Sequence, residues 1–349
     1  MNVLERIANV PPRYLAKAIL RLSVILPGTL LAATPGQECT AITDTQARLS
    51  CYDRAFGLTS SQPNASASQV GPSPVEAIPR AAPSSLSQAW ELDPADKRGT
   101  FKLVQHRLNY LLPVLHTTSA NTMPGSPAPG HQLASAVPID DTEAKFQLSF
   151  RVKAWENVFG DNGDLWLGFT QQSNWQAFNE PISAPFRETN YEPELIFSFR
   201  TDADILGWKW RLLNLGFVHQ SNGRALPLSR SWNRIYAQAG LERKNFLVFA
   251  RAWHRLRESD GEDDNPDIQD YLGSGDLRLV YEDSGHFISA LGRYSLPGKR
   301  GSLQLEWAFP IAGDLKGYLQ LTNGYGASLI DYNHSQTTIG VGFLLLPWR

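Results

Sequence analysis

The sequence lacks the features that mark two common classes of protein. It has no basic excess, because 32 Lys and Arg residues face 34 Asp and Glu residues, for a formal net charge of −2 and a pI near 6.4. Without a basic field the chain does not attract a phosphate backbone, so we expect no nucleic-acid partner. No apolar run approaches the roughly 20 residues that a membrane-spanning helix needs, which argues against a helical membrane protein.

Cysteine is also scarce, since only Cys39 and Cys51 occur. Residues 1–33 have a cationic start, a short apolar run and small residues at the end, which predicts a cleaved export signal; an amphipathic helix of the mature protein is the alternative. In an exported chain an isolated cysteine pair predicts a disulfide, so we expect a small Cys-loop appendage over residues 34–57. Residues 58–92 are rich in Ser, Pro and Ala with little charge, which predicts a disordered linker.

The remainder, residues 93–349, reads as a series of β-strands. In the stretch SLQLEWAF, Leu303 and Leu305 lie on one face, and Gln304 and Glu306 lie on the other. About twelve segments of this kind can be counted, which is an even number of strands, as in outer-membrane barrels. They lie near 101–112, 144–155, 164–172, 193–200, 206–219, 232–241, 245–255, 275–282, 286–294, 302–309, 314–322 and 336–347.

A soluble β-sandwich or lipocalin-like barrel would alternate in the same way, with the apolar face inside. Two features favour the membrane. Short connections such as 283–285 alternate with long ones such as 256–274, as expected for periplasmic turns and outer loops. The final segment, TTIGVGFLLLPWR, closes the chain on an alternating strand. We therefore expect an all-β fold, an antiparallel transmembrane β-barrel of about twelve strands.

One predicted strand continues its apolar row with two polar residues. His219 and Ser221 fall on the same face as Leu215 and Phe217, and Asn233 is on the apolar side of the next strand. If the two strands form a hairpin, His219, Ser221 and Asn233 meet on the outer wall. Such a trio suits attack by a serine on an ester carbonyl, with the amide orienting the imidazole. The alternative is that these residues are polar groups at the membrane border.

Several motifs surround this trio, and together they resemble the outer membrane phospholipase A family. The similarity extends over roughly residues 98–349 and is most specific around H-x-S-N-G-R and S-R-S-W-N-R. The stretches that carry it are LNYLLPV (108–114), SAPFRETNYEPEL (183–195), GFVHQSNGRALPLSRSWNRIY (216–236), DDNPDIQDY (263–271) and NGYGASLIDYNHSQTTIGVGFLL (323–345).

The resemblance implies a twelve-stranded outer-membrane enzyme that hydrolyses acyl esters of phospholipids and lysophospholipids. It implies Ser221 as the nucleophile, His219 as the base and Asn233 as the orienting amide. It further implies Ca²⁺ as the cofactor, membrane phospholipids as the substrate, a homodimer as the active form, and an active site toward the outer leaflet of the bacterial outer membrane.

The same resemblance implies a calcium site at the dimer interface. Its ligands would be the Arg224 carbonyl, the Ser229 hydroxyl and the carbonyl of the partner subunit's Ser183, a set of oxygens that suits a hard cation. Asp264 matches an acidic position linked to calcium, and Gln171 matches a polar residue that the family buries between the two barrels.

The sequence departs from the family pattern at two places. Gln220 stands between the His and the Ser where an acid is familiar, and we expect no effect because residue 220 faces away from its neighbours. The Cys loop and linker are an added feature. Two other functions stay open, a non-catalytic outer-membrane channel or structural barrel and a soluble secreted esterase.

Overall fold

The computed structural model describes residues 37–56, 84–259 and 261–345. It divides the chain into two units, Met1–Pro79 and Arg80–Arg349. The expected export signal lies outside the described residues, as does most of the expected linker. Within the described residues, no helix is both long and apolar enough to cross a membrane.

The first unit is a short helical segment closed by a disulfide. A 3-10 helix (Gln37–Ala41) and helix α1 (Thr45–Ala55) are joined by the bond between Cys39 and Cys51, whose Cα atoms are 5.6 Å apart. The predicted disulfide is therefore confirmed. Asp44 caps the amino end of α1, which itself has no buried residue. Because so small a segment buries little apolar surface, the covalent link supplies much of what holds it together.

The second unit is an antiparallel β-barrel, as predicted. Strands β2 to β13 each pair with their neighbours in sequence, and pairing of β13 with β2 closes a ring of twelve. The short strand β1 pairs with β3 and so extends the wall beside β2. The strands are β1 (Leu103–Gln105), β2 (Tyr110–Thr117), β3 (Thr142–Trp155), β4 (Asp164–Trp175), β5 (Phe186–Ile205), β6 (Trp208–Ser221), β7 (Ser231–Arg243), β8 (Phe246–Leu256), β9 (Gly275–Asp283), β10 (His286–Ser295), β11 (Arg300–Ala312), β12 (Leu315–Tyr325) and β13 (Ser335–Leu344).

The connections differ in length at the two ends of the barrel. At one end the strands are joined by tight turns, such as residues 244–245, 284–285 and 313–314. At the other end lie long loops, such as residues 118–141 and 257–274. This asymmetry is the one predicted for an outer-membrane barrel with short periplasmic turns and long outer loops.

The barrel wall is apolar outside and polar inside. On β6, Leu215 and Phe217 face outward and are 44% and 39% exposed, whereas Asn214 faces inward and is fully buried. On β11, Leu305 faces outward, and Glu306 faces the interior and is 4% exposed. In water this pattern would be unfavourable over so large a surface, but against lipid chains it is the stable arrangement.

Charged side chains inside the barrel are paired with one another. Arg107 contacts both Glu192 and Glu194. Glu192 also accepts a hydrogen bond from Arg234 at 3.2 Å, and Glu194 accepts one from the Tyr236 hydroxyl at 3.1 Å. Because a buried charge is tolerated only when it is paired and hydrogen-bonded, this network is what allows the lumen to be filled with ionic groups.

A short helix, α2 (Ser85–Trp90), packs into the barrel and corrects one expectation. Leu86 and Trp90, four residues apart on one helical face, are 0% and 7% exposed and belong to the apolar cluster of the lumen. The Arg151 guanidinium lies 3.9 Å from the Trp90 ring centroid. The prediction of a disordered linker over 58–92 is therefore wrong at the carboxyl end, because the last residues of this stretch form an ordered part of the barrel unit. The other helices in the part of the chain that the structure describes are α3 (Gln269–Leu272) and 3-10 turns at Pro94–Asp96 and Glu180–Ile182.

The lipid-facing pattern predicts a depth-dependent cost for an exterior charge. We expect Leu215→Arg, at the middle of β6, to lower the free energy of unfolding by about 2–4 kcal/mol, since the guanidinium would sit near the bilayer midplane. Leu315→Arg, at the turn end of β12, is the matched control and should cost at most about 1 kcal/mol. Denaturant unfolding of the barrel in lipid vesicles measures both. Equal costs at the two positions would contradict the placement of Leu215 near the bilayer midplane and of Leu315 near the interface.

Candidate active site

The predicted trio lies on the outer wall at the end of the barrel that carries the long loops. His219 and Ser221 lie at the end of β6 that leads into the 222–230 loop, and Asn233 lies near the start of β7. His219 is directly opposite Asn233 in the strand pairing, and Ser221 is opposite Ser231. The hairpin therefore brings together the side chains that the alternating pattern places on one face.

A hydrogen bond joins two members of the trio. His219 Nδ1 donates to Asn233 Oδ1 at 2.9 Å, and Asn233 Nδ2 donates to Glu258 Oε1 at 2.8 Å. Among the described residues no hydrogen bond joins Ser221 to His219; the two residues share a face, two positions apart, so their Cα atoms are about 7 Å apart. Catalytic hydrogen bonds of this kind are often open in the free enzyme and tighten with substrate.

This arrangement can support proton transfer from a hydroxyl. An imidazole that donates through Nδ1 keeps its Nε2 lone pair free, so His219 can act as a base. Ser221 supplies a hydroxyl on the same face, and the Asn233 carbonyl oxygen fixes the ring without adding charge. Chemically, the three residues are suited to nucleophilic attack on an ester from the lipid side of the wall.

Gln220 points to the opposite side of β6, as expected. Its Oε1 accepts hydrogen bonds from Trp232 Nε1 at 2.7 Å and from Arg234 Nη2 at 3.1 Å, both inside the barrel. The residue thus belongs to the lumen and does not enter the site on the outer wall.

The loop between β6 and β7 is organised by Asn222, which is 4% exposed. Its Oδ1 accepts hydrogen bonds from the backbone N–H groups of Arg224 at 3.3 Å and Arg230 at 3.0 Å, and its Nδ2 donates to the Leu228 carbonyl at 2.8 Å. Arg230 is fully buried and donates to the Ser229 carbonyl at 2.6 Å. These contacts set the position of two predicted calcium ligands, Arg224 and Ser229.

Asp264 lies against the same loop. Its Oδ2 accepts hydrogen bonds from Ser229 Oγ at 2.7 Å and Ser231 Oγ at 3.1 Å, and its Oδ1 pairs with His131 Nε2 at 3.0 Å. Asp264 and Ser229, predicted from the resemblance, are thus adjacent. Sequence reasoning missed His131, because a lone histidine in the 118–141 loop carries no spacing signal toward an aspartate more than a hundred residues away.

The two predicted dimer residues lie on the β4–β5 side of this region. Ser183 is exposed in the loop between β4 and β5, where its φ is +62°. Gln171 lies on β4 and is paired with Tyr191, which is paired in turn with Ser221. Gln171 is therefore level with the site and about 10 Å along the wall, at two strand spacings. Within the described ranges, no group of three or more His, Cys, Asp or Glu residues is arranged to hold a metal.

Comparison with known proteins identifies close relatives of this arrangement. Residues 86–345 match the family model described as phospholipase A1. A protein of Neisseria meningitidis serogroup B is 38% identical over 93% of this chain and 94% of its own length. The calcium-bound dimer of outer membrane phospholipase from Salmonella typhi is 36% identical, has a TM-score of 0.65, and matches over 72% of this chain and 96% of that chain. An active-site mutant of Escherichia coli outer membrane phospholipase A, with an asparagine replaced by alanine, is 38% identical, also has a TM-score of 0.65, and matches over 72% of this chain and 95% of that chain.

The role of Asn222 in the loop gives a stability prediction. Replacing Asn222 with Ala removes an acceptor shared by two backbone N–H groups, so we expect the free energy of unfolding to fall by about 1–3 kcal/mol. Amide hydrogen exchange should accelerate at residues 224 and 230 and stay unchanged on β10, which is distant from the loop. Unaltered exchange at both residues would show that Asn222 does not hold the loop.

Proposed function

The chain belongs to the phospholipase A1 family, and on that premise we propose that it hydrolyses the acyl ester bonds of phospholipids and lysophospholipids with a Ser-His-Asn triad. Ser221 is the nucleophile, His219 is the general base and Asn233 orients the imidazole. The strongest support is the 2.9 Å hydrogen bond between His219 and Asn233, because it lies on the outer face of the wall, directly beyond the exposed apolar side chains of Leu215 and Phe217.

The reaction proceeds in two halves. Ser221 Oγ attacks the acyl carbonyl carbon while His219 Nε2 takes the hydroxyl proton. Collapse of the tetrahedral adduct breaks the ester C–O bond, and His219 returns the proton to the leaving glycerol oxygen, which departs as lysophospholipid. Water then attacks the acyl-enzyme with His219 again as the base, which releases the fatty acid and restores Ser221. Asn233 keeps Nδ1 as the donor throughout, so that Nε2 faces the reacting oxygen.

The position of the triad decides how substrate arrives. The protein is an outer-membrane β-barrel, and its exterior row of Leu215 and Phe217 leads directly to His219 and Ser221. A phospholipid whose acyl chains lie against this row presents its ester groups near the interface, level with the serine. The active site therefore takes substrate laterally from the outer leaflet and needs no passage through the barrel.

Calcium binding is proposed at the loop beside the triad. The Arg224 carbonyl and the Ser229 hydroxyl would hold the ion together with the carbonyl of the partner subunit's Ser183, and Asp264 would support Ser229. The donor chemistry fits, because all of these groups are hard oxygens and Asp264 already lies 2.7 Å from the Ser229 hydroxyl. When bound, Ca²⁺ supplies positive charge near the attacked carbonyl, which favours the developing oxyanion.

A homodimer is proposed as the active form. The ligand from the partner subunit's Ser183 makes the calcium site incomplete in a single barrel. Gln171 lies on the outer wall level with Ser221, where a second barrel would bury it. Its Nε2 donates to Ser173 Oγ at 3.2 Å, and the rest of the amide would pair across the interface, since an unpaired polar group against lipid is unfavourable.

The alternative of an open channel is disfavoured by the contents of the lumen. Arg278 pairs with Glu306 at 2.5 Å, and Lys145 on β3 donates to Gln320 on β12 at 3.0 Å. Helix α2 also lies in the lumen, where Leu86 and Trp90 join the apolar cluster, and the interior holds a cavity of about 860 Å³. These contacts and the helix occupy much of the lumen, whereas a conducting pore needs a continuous aqueous path.

Loss of the nucleophile should abolish activity. We expect Ser221→Ala to lower hydrolysis of a defined phospholipid in mixed micelles by about 10³-fold or more, with the barrel still folded. Ser119→Ala, an exposed serine in the 118–141 loop, is the matched control and should behave as wild type. Normal turnover by Ser221→Ala would exclude the triad.

Removal of calcium or of one ligand gives an independent test. Chelation should stop hydrolysis by the wild type, and added calcium should restore it. In Ser229→Ala the calcium concentration needed for half-maximal activity should rise by about tenfold or more, because one oxygen ligand and its contact with Asp264 are lost. Activity that persists in chelator would refute the metal requirement and leave the triad standing.

A further inference from the structure

Glu258 contacts the side of Asn233 that faces away from the histidine. Asn233 Nδ2 donates to Glu258 Oε1 at 2.8 Å, while Asn233 Oδ1 accepts from His219 at 2.9 Å. Asn233 is paired in the sheet with Leu256, the last residue of β8, and Glu258 follows two residues later. The loop that leaves β8 thus carries a carboxylate back onto the amide.

An asparagine amide needs such a contact if it is to present only its carbonyl oxygen to the histidine. Its oxygen and nitrogen ends have nearly the same shape, so the side chain can turn over without steric cost. If Asn233 turned over, its NH₂ group would face His219 Nδ1 and favour the tautomer that carries its proton on Nε2. That tautomer cannot accept the proton of Ser221, so the orientation of Asn233 decides whether His219 is a base.

We propose that Glu258 is a positioning residue that selects the productive orientation of Asn233, an inference that rests on the proposed role of Asn233 in the triad. The ionised carboxylate only accepts hydrogen bonds, so it holds the NH₂ end of the amide and repels the carbonyl end. The carbonyl oxygen is thereby left for His219. Glu258 acts through Asn233 and touches neither the substrate nor the reacting atoms.

The surroundings of Glu258 are unusual for a surface carboxylate. Its Oε2 atom is buried and has no hydrogen-bond partner among the described residues. Burial, together with the nearby Asp263 carboxylate, raises the pKa of Glu258. Among the described residues the neighbouring Arg255 makes no hydrogen bond with it; its guanidinium donates to Asp263 at 2.6 Å and to the Asn265 carbonyl at 3.1 Å. The amide of Asn233 is therefore the group that holds this carboxylate in place.

Substitutions at position 258 test whether the side chain that faces Asn233 must accept a hydrogen bond. Glu258→Gln keeps an acceptor oxygen and should retain kcat within about threefold of wild type. Glu258→Ala leaves the Asn233 NH₂ group unpaired and should lower kcat at least tenfold, with KM changed less than twofold. Glu258→Lys offers only donors, which favour the reversed amide, and should be the least active. Glu262→Gln, at an exposed glutamate of the same loop, is the matched control and should equal wild type.

The experiment measures kcat and KM for full-length protein in calcium-containing mixed micelles, with folding checked by circular dichroism. The order wild type, Gln, Ala, Lys among folded variants supports the inference, and a Lys variant as active as wild type overturns it. If the Lys variant does not fold, the comparison of Ala with Gln decides in the same way, because equal kcat values for these two would overturn the inference.

A double-mutant cycle distinguishes positioning from a general loss of structure. In an Asn233→Ala background, Glu258→Ala should cause no further loss, whereas an independent defect would multiply the two effects. The proposed triad is tested separately by Ser221→Ala in the same assay. An inactive Ser221→Ala beside a fully active Glu258→Ala would overturn only the role of Glu258, and an active Ser221→Ala would overturn the triad on which it rests.

Discussion

The satisfaction of backbone hydrogen bonds in lipid is the constraint on which this structure depends. A strand in the bilayer has no water to bind its N–H and C=O groups, so an open sheet edge is not tolerated. Pairing of β13 with β2 removes both edges and fixes a ring of twelve strands. Closure also fixes which side of each residue meets lipid, because side chains alternate across the wall. A polar side chain on the outer face therefore costs free energy against lipid, and each one is an exception to the apolar pattern.

The proposed triad is such an exception on the outer face of the wall. His219 and Asn233 form a hydrogen-bonded pair on the face that carries Leu215 and Phe217. Inside the barrel many of the side chains are polar or charged. Ionic groups such as Arg107 and Glu194 are tolerated there because each has a partner. A closed and paired interior leaves the exterior as the surface where a lipid ester can be attacked.

Strand alternation made much of this predictable, and its limits explain the rest. The twelve strands and the shared face of His219, Ser221 and Asn233 follow from a period of two, which is a property of local geometry. Helix α2 was missed because six residues within a Ser- and Pro-rich stretch carry no period, and the burial of Leu86 and Trp90 in the lumen, which stabilises them, leaves no mark in the local sequence. Contacts such as His131 with Asp264 depend on the packing of loops that are far apart in sequence, and periodicity does not predict such contacts.

Glu258 and Asp264 show how one irregular loop supports two parts of the site. Both belong to the 257–274 connection, within an acidic run whose composition indicates only a solvated loop. Glu258 contacts the amide of Asn233, and Asp264 contacts the hydroxyl of Ser229. Arg255, at the end of β8, binds Asp263 between them and so ties the loop to the rigid wall. A displacement of this loop would therefore disturb the orientation of the proposed base, His219, and the support of Ser229 together. The loop is thus the part of the site where a local change has the widest effect.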